Sequence, residues 1–117
     1  MRFWRERVIQ PALDRDVDSA VAEQLTILKR DPRSPQAHFA LGTLCHFRGE
    51  TGPAVEFFLR AIELDPSYAA PHVNLGRIYA IRGEDNLAWQ HAHEAERLGD
   101  RSLVEQLERY PNLGAKS

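Results

Sequence analysis

The sequence has few of the residues that would place it in several large classes of protein. Among its 117 residues Cys45 is the one cysteine, so no intrachain disulfide can form, which fits a reducing compartment. No run approaches the ~18 apolar residues of a membrane-spanning helix. The first residues, MRFWRERVIQP, are too charged for the core of a signal peptide. We therefore expect a cytoplasmic protein that does not bind membranes.

The sequence also lacks an excess of charge of one sign. Its formal net charge is -2, and it contains no basic stripe or polybasic patch. Proteins that bind nucleic acid normally carry such a stripe. The contents of hydrophobic residues (43%) and charged residues (27%) are those of a globular protein rather than a disordered one. We expect a folded protein of one domain that binds no nucleic acid.

Motifs for catalysis and metal binding are missing as well. No glycine-rich loop precedes a helix, no nucleophile elbow is present, and Cys45 is expected to be an inert buried thiol. His91 and His93 are two residues apart, which on a helix separates them by ~200° of rotation. His38 and His72 are expected to pack between helices, although a metal site made by residues distant in the sequence stays open. We expect no enzyme, no cofactor and no metal.

What the sequence does contain is an internal repeat with an interval of 34 residues. The stretch ALGTLCHFRGE at 40–50 returns as NLGRIYAIRGE at 74–84. When residues 35–68 are aligned with residues 69–102 without a gap, most of the identical positions hold small or large apolar residues. The nine identical pairs are His38/His72, Leu41/Leu75, Gly42/Gly76, Arg48/Arg82, Gly49/Gly83, Glu50/Glu84, Ala54/Ala88, Ala61/Ala95 and Leu64/Leu98.

Each unit carries the signals of a helical hairpin. Ser34, placed before a proline, predicts a helix start, Gly49 predicts its end, and Thr51 is the predicted cap of a second helix. The second unit repeats the arrangement, with helices over roughly 69–82 and 86–98. Two helices of about 14 residues and two short turns make up the interval, and so thin a hairpin must stack on a neighbour to bury its apolar face. No stretch alternates with period two, so we expect no sheet.

These residues resemble the tetratricopeptide repeat family, whose pattern combines Leu-Gly, small alanines, an aromatic residue and a closing proline. The first unit matches at Leu41, Gly42, Ala54, Phe58, Ala61 and Pro66, and the second at Leu75, Gly76, Tyr79, Ala88 and Ala95. The second unit departs from the pattern at Ala92, where a large residue is expected, and at Asp100, where proline is expected; terminal repeats are commonly atypical. The resemblance implies an all-α fold, a right-handed α-α superhelix (solenoid) of about two and a half repeats with capping helices.

The resemblance also implies a division of the chain. Within a repeat array over 16–100, a partial repeat would begin at a helix capped by Asp16 or Asp18. The expected segments are an N-terminal cap (1–15), the partial repeat (16–34), two repeats (35–68 and 69–102), a C-terminal capping helix (101–111) and a tail (112–117).

In arrays of this family the first helix of each repeat lines a concave groove that binds a partner. The resemblance therefore implies a protein–protein interaction module, a small adaptor or scaffold that binds an extended or helical peptide segment of another protein. Carried over by position, the groove residues are Gln36, Phe39, Thr43, His46, Phe47, Val73, Asn74, Arg77 and Ile81. Two alternatives stay open: the N-terminal helices cover this strip, or the incomplete N-terminal repeat makes a structural unit that forms homo-oligomers.

Overall fold

The fold consists of helices joined by short turns. The computed structural model describes residues 10–111, with side chains from residue 16 onward, so the predicted tail and much of the predicted N-terminal cap lie outside the described residues. Within this part of the chain no strand occurs, and the predicted all-α fold is confirmed. The helices are α1 (Gln10–Arg30), α2 (Pro35–Phe47), α3 (Thr51–Leu64), α4 (Ala69–Ile81), α5 (Asp85–Arg97) and α6 (Ser102–Arg109).

The ends of α2 and α4 follow from local chemistry. Ser34 precedes α2, and its hydroxyl oxygen accepts a hydrogen bond from the backbone N–H of Ala37 at 3.1 Å. This bond satisfies one of the amides that a helix start leaves without a partner. Gly49 and Gly83 follow α2 and α4 with φ of 82°, a left-handed conformation that glycine adopts without steric cost. The predicted helix start at Ser34 and the two predicted helix ends are confirmed.

Two predicted caps are wrong. Thr51 is the first residue of α3, and Glu50 occupies the capping position without a side-chain hydrogen bond. Asp16 and Asp18 lie inside α1, which begins at Gln10 and continues through Pro11. Proline does not stop this helix because in the first turn its missing N–H needs no partner. The predicted boundary between residues 15 and 16 falls within α1, and with residues 1–9 outside the description the division of the chain stays a prediction.

The helices pack in chain order, which makes the fold an all-α repeat solenoid. Helices α2 and α3 form one hairpin and α4 and α5 a second, while α1 packs on α2, α3 on α4, and α6 on both α5 and α4. The core has two parts that meet at α4. One contains Ala54, Phe58, Leu75 and Ile78; the other contains Val73, Ala80, Ala88, Ala92, Ala95, Leu103, Val104 and Leu107.

The two hairpins reach close helix packing by different means. A Cβ atom added to Gly42 would lie 2.7 Å from the ring of Phe58, which is fully buried. The residue 34 positions after Phe58 is Ala92, which is too small to do the same over Gly76. Leu103 of α6 fills that place: its side chain is the nearest group to a Cβ added at Gly76, and it is fully buried. The departure from the family pattern at Ala92 is thus compensated by the capping helix, as close packing of the interior requires.

We expect Gly42→Ala to destabilise the protein by about 1–3 kcal/mol, because the added methyl group overlaps a buried ring that cannot move away. Gly52→Ala is the matched control, since nothing lies within 4 Å of its added Cβ in α3. That control is expected to stabilise the protein by up to about 1 kcal/mol. Urea denaturation measures both free energies of unfolding. Equal effects of the two substitutions would contradict the close approach at Gly42.

Candidate functional site

The nine residues predicted to line a groove lie on α2 and α4 and differ widely in exposure. Gln36, Thr43, His46, Phe47 and Ile81 are exposed, Phe39, Asn74 and Arg77 are half-buried, and Val73 is buried. The exposed fractions of Phe47 (65%) and Ile81 (53%) are large for apolar side chains, whose burial in water-excluding contacts is favourable. That the nine residues act as one binding groove stays a prediction.

An open cleft lies where the C-terminal ends of α2 and α4 meet the start of α3. Its volume is about 320 Å³, and it brings together His46 and Ile81, two predicted groove residues from successive repeats. Phe47 follows His46 in the chain and stands exposed beside it. The lining residues are His46, Thr51, Ile78, Ile81 and Arg82. The cleft combines an apolar wall from α4 with a hydroxyl group, an imidazole and a guanidinium group.

The part of the predicted groove that α4 contributes before this cleft is covered by α6. Val73 is 7% exposed and belongs to the same buried cluster as Leu103 and Leu107. Arg77 donates a hydrogen bond from Nε to Oε1 of Gln106 at 3.1 Å, so its guanidinium group is tied to the capping helix. The covering of this strip by the N-terminal helices, which the sequence left open, stays untested. Among the described residues Val73 is buried in a cluster to which α6 contributes Leu103, Val104 and Leu107.

On α2 the polar and aromatic groups are partly engaged within the protein. The ring of Phe39 packs against the rings of Phe58 and Tyr68, with centroids 5.6 and 5.3 Å away. Thr43 donates its hydroxyl proton to the backbone oxygen of Phe39 at 3.1 Å. The Thr43 hydroxyl group can therefore accept a hydrogen bond from a bound partner, since its proton is already used. The side chains of Gln36, His46 and Phe47 remain exposed along the same helix.

Sequence reasoning missed the residues that complete the cleft, although one of them carried a signal. Arg82 is the repeat equivalent of Arg48. Arg48 forms an ion pair with Asp18 of α1, whereas Nη1 of Arg82 lies 3.9 Å from Oε2 of Glu84, at the limit of an ion pair. Exposed pairs of this kind contribute little to stability. The presence of arginine at the equivalent positions 48 and 82 was a signal for Arg82 in the sequence. Nothing in the sequence indicated the contact between Gln106 and Arg77.

The metal-ligating and nucleophilic side chains of the described residues can be placed in the structure. Between residues 16 and 111 no three or more histidine, cysteine or acidic side chains are placed to hold a metal ion. Cys45 is half-buried, and burial, followed by the neighbouring Glu50 carboxylate, raises the pKa of its thiol. Since the thiolate is the nucleophile, a raised pKa lowers the reactivity of Cys45 at neutral pH. No helix within 10–111 has both the length and the apolar character needed to cross a bilayer.

Comparison with known proteins agrees with the helical hairpins. Residues 57–90 match a family model described as tetratricopeptide repeat. The matched segment begins inside α3, contains all of α4 and ends inside α5, so it covers one interval of the repeat in a shifted frame. No curated protein matches the chain.

Residues 57–90 therefore resemble a tetratricopeptide repeat, and they lie within an all-α solenoid, as the sequence pattern indicated. Such repeats typically serve as non-enzymatic scaffolds, and the match therefore indicates a module for protein–protein interaction.

We expect iodoacetamide to alkylate Cys45 several-fold more slowly in the folded protein than in urea at pH 8, because the raised pKa leaves less thiolate. The rate in the folded state should continue to rise with pH above the range in which the unfolded thiol has already titrated. Mass spectrometry of quenched samples measures both rates. Equal rates in the two states at pH 8 would contradict the described environment of the thiol.

Proposed function

We propose that this protein is a small adaptor that binds an extended or helical segment of another protein in the cleft between α2 and α4. The observation that carries the proposal is the opening of about 320 Å³ in which His46 and Ile81 meet from successive repeats. Proteins use concave, mainly apolar sites with a few polar groups to take up ligands. The single cysteine favours a reducing compartment, which we propose is the cytoplasm.

The apolar side chains around the cleft supply the driving force. Phe47 and Ile81 are among the most exposed large apolar residues of the described chain. Full burial of such a side chain against a partner is worth about 1.5–3 kcal/mol. Few residues carry most of the binding energy in an interface, and large buried side chains at its centre are typical of them. A partner that covers Phe47 and Ile81 together would therefore gain most of its affinity there.

The polar groups of the cleft give direction to a bound segment. Arg82 and His46 offer N–H donors, and Thr51 offers a hydroxyl group, all on the rim of the same opening. These groups suit backbone carbonyl oxygens or a carboxylate of the partner. Arg77, one of the predicted groove residues, donates a hydrogen bond to Gln106, so we assign the recognition of polar groups to Arg82 instead. Because the cleft is at the low end of the ~300–1,000 Å³ range for ligand sites, we expect modest affinity.

We expect the double variant Phe47→Glu with Ile81→Glu to lose at least ~90% of the partner that the wild type captures. Two buried carboxylates without partners would each cost more than the apolar contacts gain. The measurement is a cross-linking pull-down from the native cell, with captured proteins quantified by mass spectrometry. Circular dichroism checks that helicity is retained, as expected for exposed positions.

The control is Leu59→Glu, which places one glutamate at a residue that is 45% exposed on α3, a helix that carries neither position of the double variant. It should capture the same partners as the wild type. Capture of an unchanged set of partners by the double variant would refute the assignment of the cleft. Loss of capture by both variants would instead place the binding surface on α3 or assign it to a general effect of charge.

A second candidate function is self-association through α1. This helix takes the place of the second helix of an earlier repeat and packs on α2, and its Leu25 and Ile27 are 48% and 38% exposed. In a longer array such side chains would be covered by the preceding hairpin. A second copy of the chain could cover them, which would also double the number of clefts and raise the avidity for a partner.

We expect, if α1 mediates self-association, that the wild type forms dimers at tens of micromolar. Leu25→Glu and Ile27→Glu are made as separate variants, because residues two apart lie on different sides of a helix. The substitution that lies in the contact should make the protein monomeric, because each copy would then bury a carboxylate without a partner. Sedimentation equilibrium measures the mass. A monomeric wild type would remove this candidate and leave the adaptor proposal standing, while a dimer that survives both substitutions would move the contact away from α1.

A further inference from the structure

Two histidines that are 19 residues apart in sequence meet between α4 and α5. Nδ1 of His72 lies 3.0 Å from Nδ1 of His91, and their ring centroids are 5.2 Å apart. His72 is 7% exposed, and the ring of Tyr79 stacks on His91 with a centroid distance of 5.6 Å. The pair is therefore held inside the second hairpin rather than on its surface.

The short distance between the two nitrogens restricts the protons that the pair can carry. In a neutral imidazole one ring nitrogen donates and the other accepts, so one ring must donate its Nδ1–H to the bare Nδ1 of the other. When both rings are protonated, all ring nitrogens bear hydrogen and no acceptor remains between them. Two N–H groups and two positive charges would then face each other at a contact that excludes water.

The first hairpin provides a comparison inside the same molecule. The residues 34 positions before His72 and His91 are His38 and Phe57, whose rings pack with centroids 6.1 Å apart. There the histidine meets an apolar ring instead of a second imidazole. The two hairpins therefore differ in the partner of the histidine at this position.

We propose that His72 and His91 form a proton-controlled latch that holds α4 on α5 at neutral pH and releases this hairpin in acid. The capping helix depends on the same contact. Leu103 of α6 sits over Gly76, and a Cβ added there would also lie 3.3 Å from Cβ of His91 and 3.2 Å from the backbone oxygen of Ala88. Separation of α4 from α5 at this point removes the surface on which Leu103 packs, so α6 is released together with the hairpin.

Burial and the neighbouring charges determine the direction in which the pKa values of His72 and His91 shift. Burial lowers the pKa of His72, with a smaller contribution from Arg97, and burial followed by the proximity of His72 lowers the pKa of His91. Glu94 of α5 acts in the opposite direction on both rings, while its own carboxylate accepts a hydrogen bond from Arg97. Tyr79 contributes a neutral ring from α4, and α6 contributes the apolar Leu103.

The sign of the pH dependence follows from proton binding in the two states. The unfolded chain takes up these protons near the ordinary histidine pKa of 6.5, and the folded pair takes them up at lower pH. The unfolded state therefore binds more protons below 6.5, so the stability that the neutral pair contributes is complete above this pH and is lost as the pH falls through the folded values. Because the two rings interact, the pKa values of the folded state describe the pair and cannot be divided between His72 and His91.

The test compares the wild type with His91→Phe, which installs the pair of the first hairpin. Urea denaturation at pH 7.5 and pH 5 should show that the folding equilibrium constant falls by a larger factor in the wild type than in the variant, because only the wild type must place two protonated rings in contact. His93→Gln is the matched control, because His93 is exposed on the same helix and packs on Trp89. Its response to acid should follow the wild type, and an acid response of His91→Phe equal to the wild type would refute the latch.

A second measurement does not depend on the folding of any variant. Nuclear magnetic resonance of the imidazole nitrogens in the wild type should find an Nδ1–H tautomer at one ring of the His72–His91 pair at pH 7.5, and these two rings should titrate below 6.5. Titration of both rings at or above 6.5 would overturn the proposal. So would a rise in the urea midpoint of the wild type, absent in His91→Phe, on addition of Zn²⁺ at pH 7.5, because the pair would then be a metal site.

Discussion

The structure depends on the close approach of helices over two glycines. At Gly42 the ring of Phe58 occupies the space that any side chain would need, and at Gly76 the same space belongs to Leu103. A helical hairpin of this size has too little interior to tolerate a void, because each missing methylene group costs stability. The first hairpin closes with a residue of its own second helix. The second hairpin closes with a residue of α6, and for that reason its Ala92 can be small.

The contacts of α6 bring part of the predicted groove into the interior. Leu103 and Leu107 belong to the same buried cluster as Val73, and Gln106 accepts a hydrogen bond from Arg77. The early part of α4 is thereby used for internal packing. At the other end of α4, Ile81 is exposed and lines the open cleft together with His46. Of the predicted groove residues on α4, Ile81 is the exposed one, which is why the proposed site lies near the hairpin turn.

The sequence was sufficient for the elements that local chemistry decides, and insufficient where contacts cross between helices. Ser34 and Gly49 define the ends of α2 because a hydroxyl cap and a positive φ are properties of single residues. The cover over Val73 could not be predicted, since the apolar spacing of α6 indicates which face it buries but not the helix that receives it. The His72–His91 contact was missed for the same reason: periodicity assigns each histidine to a face, and only the crossing of α4 and α5 sets their rings against each other.

The two hairpins therefore have the same repeat positions but are held together by different side-chain contacts. The first is closed by apolar contacts, with Phe57 and Phe58 at the places that His91 and Ala92 occupy in the second. At the same places the second hairpin has His91, which pairs with His72, and the small Ala92, beside which Leu103 of α6 fills the space over Gly76. The apolar wall of the cleft is built from α4, so the contacts that keep α4 in place on α5 also maintain the shape of the proposed binding site.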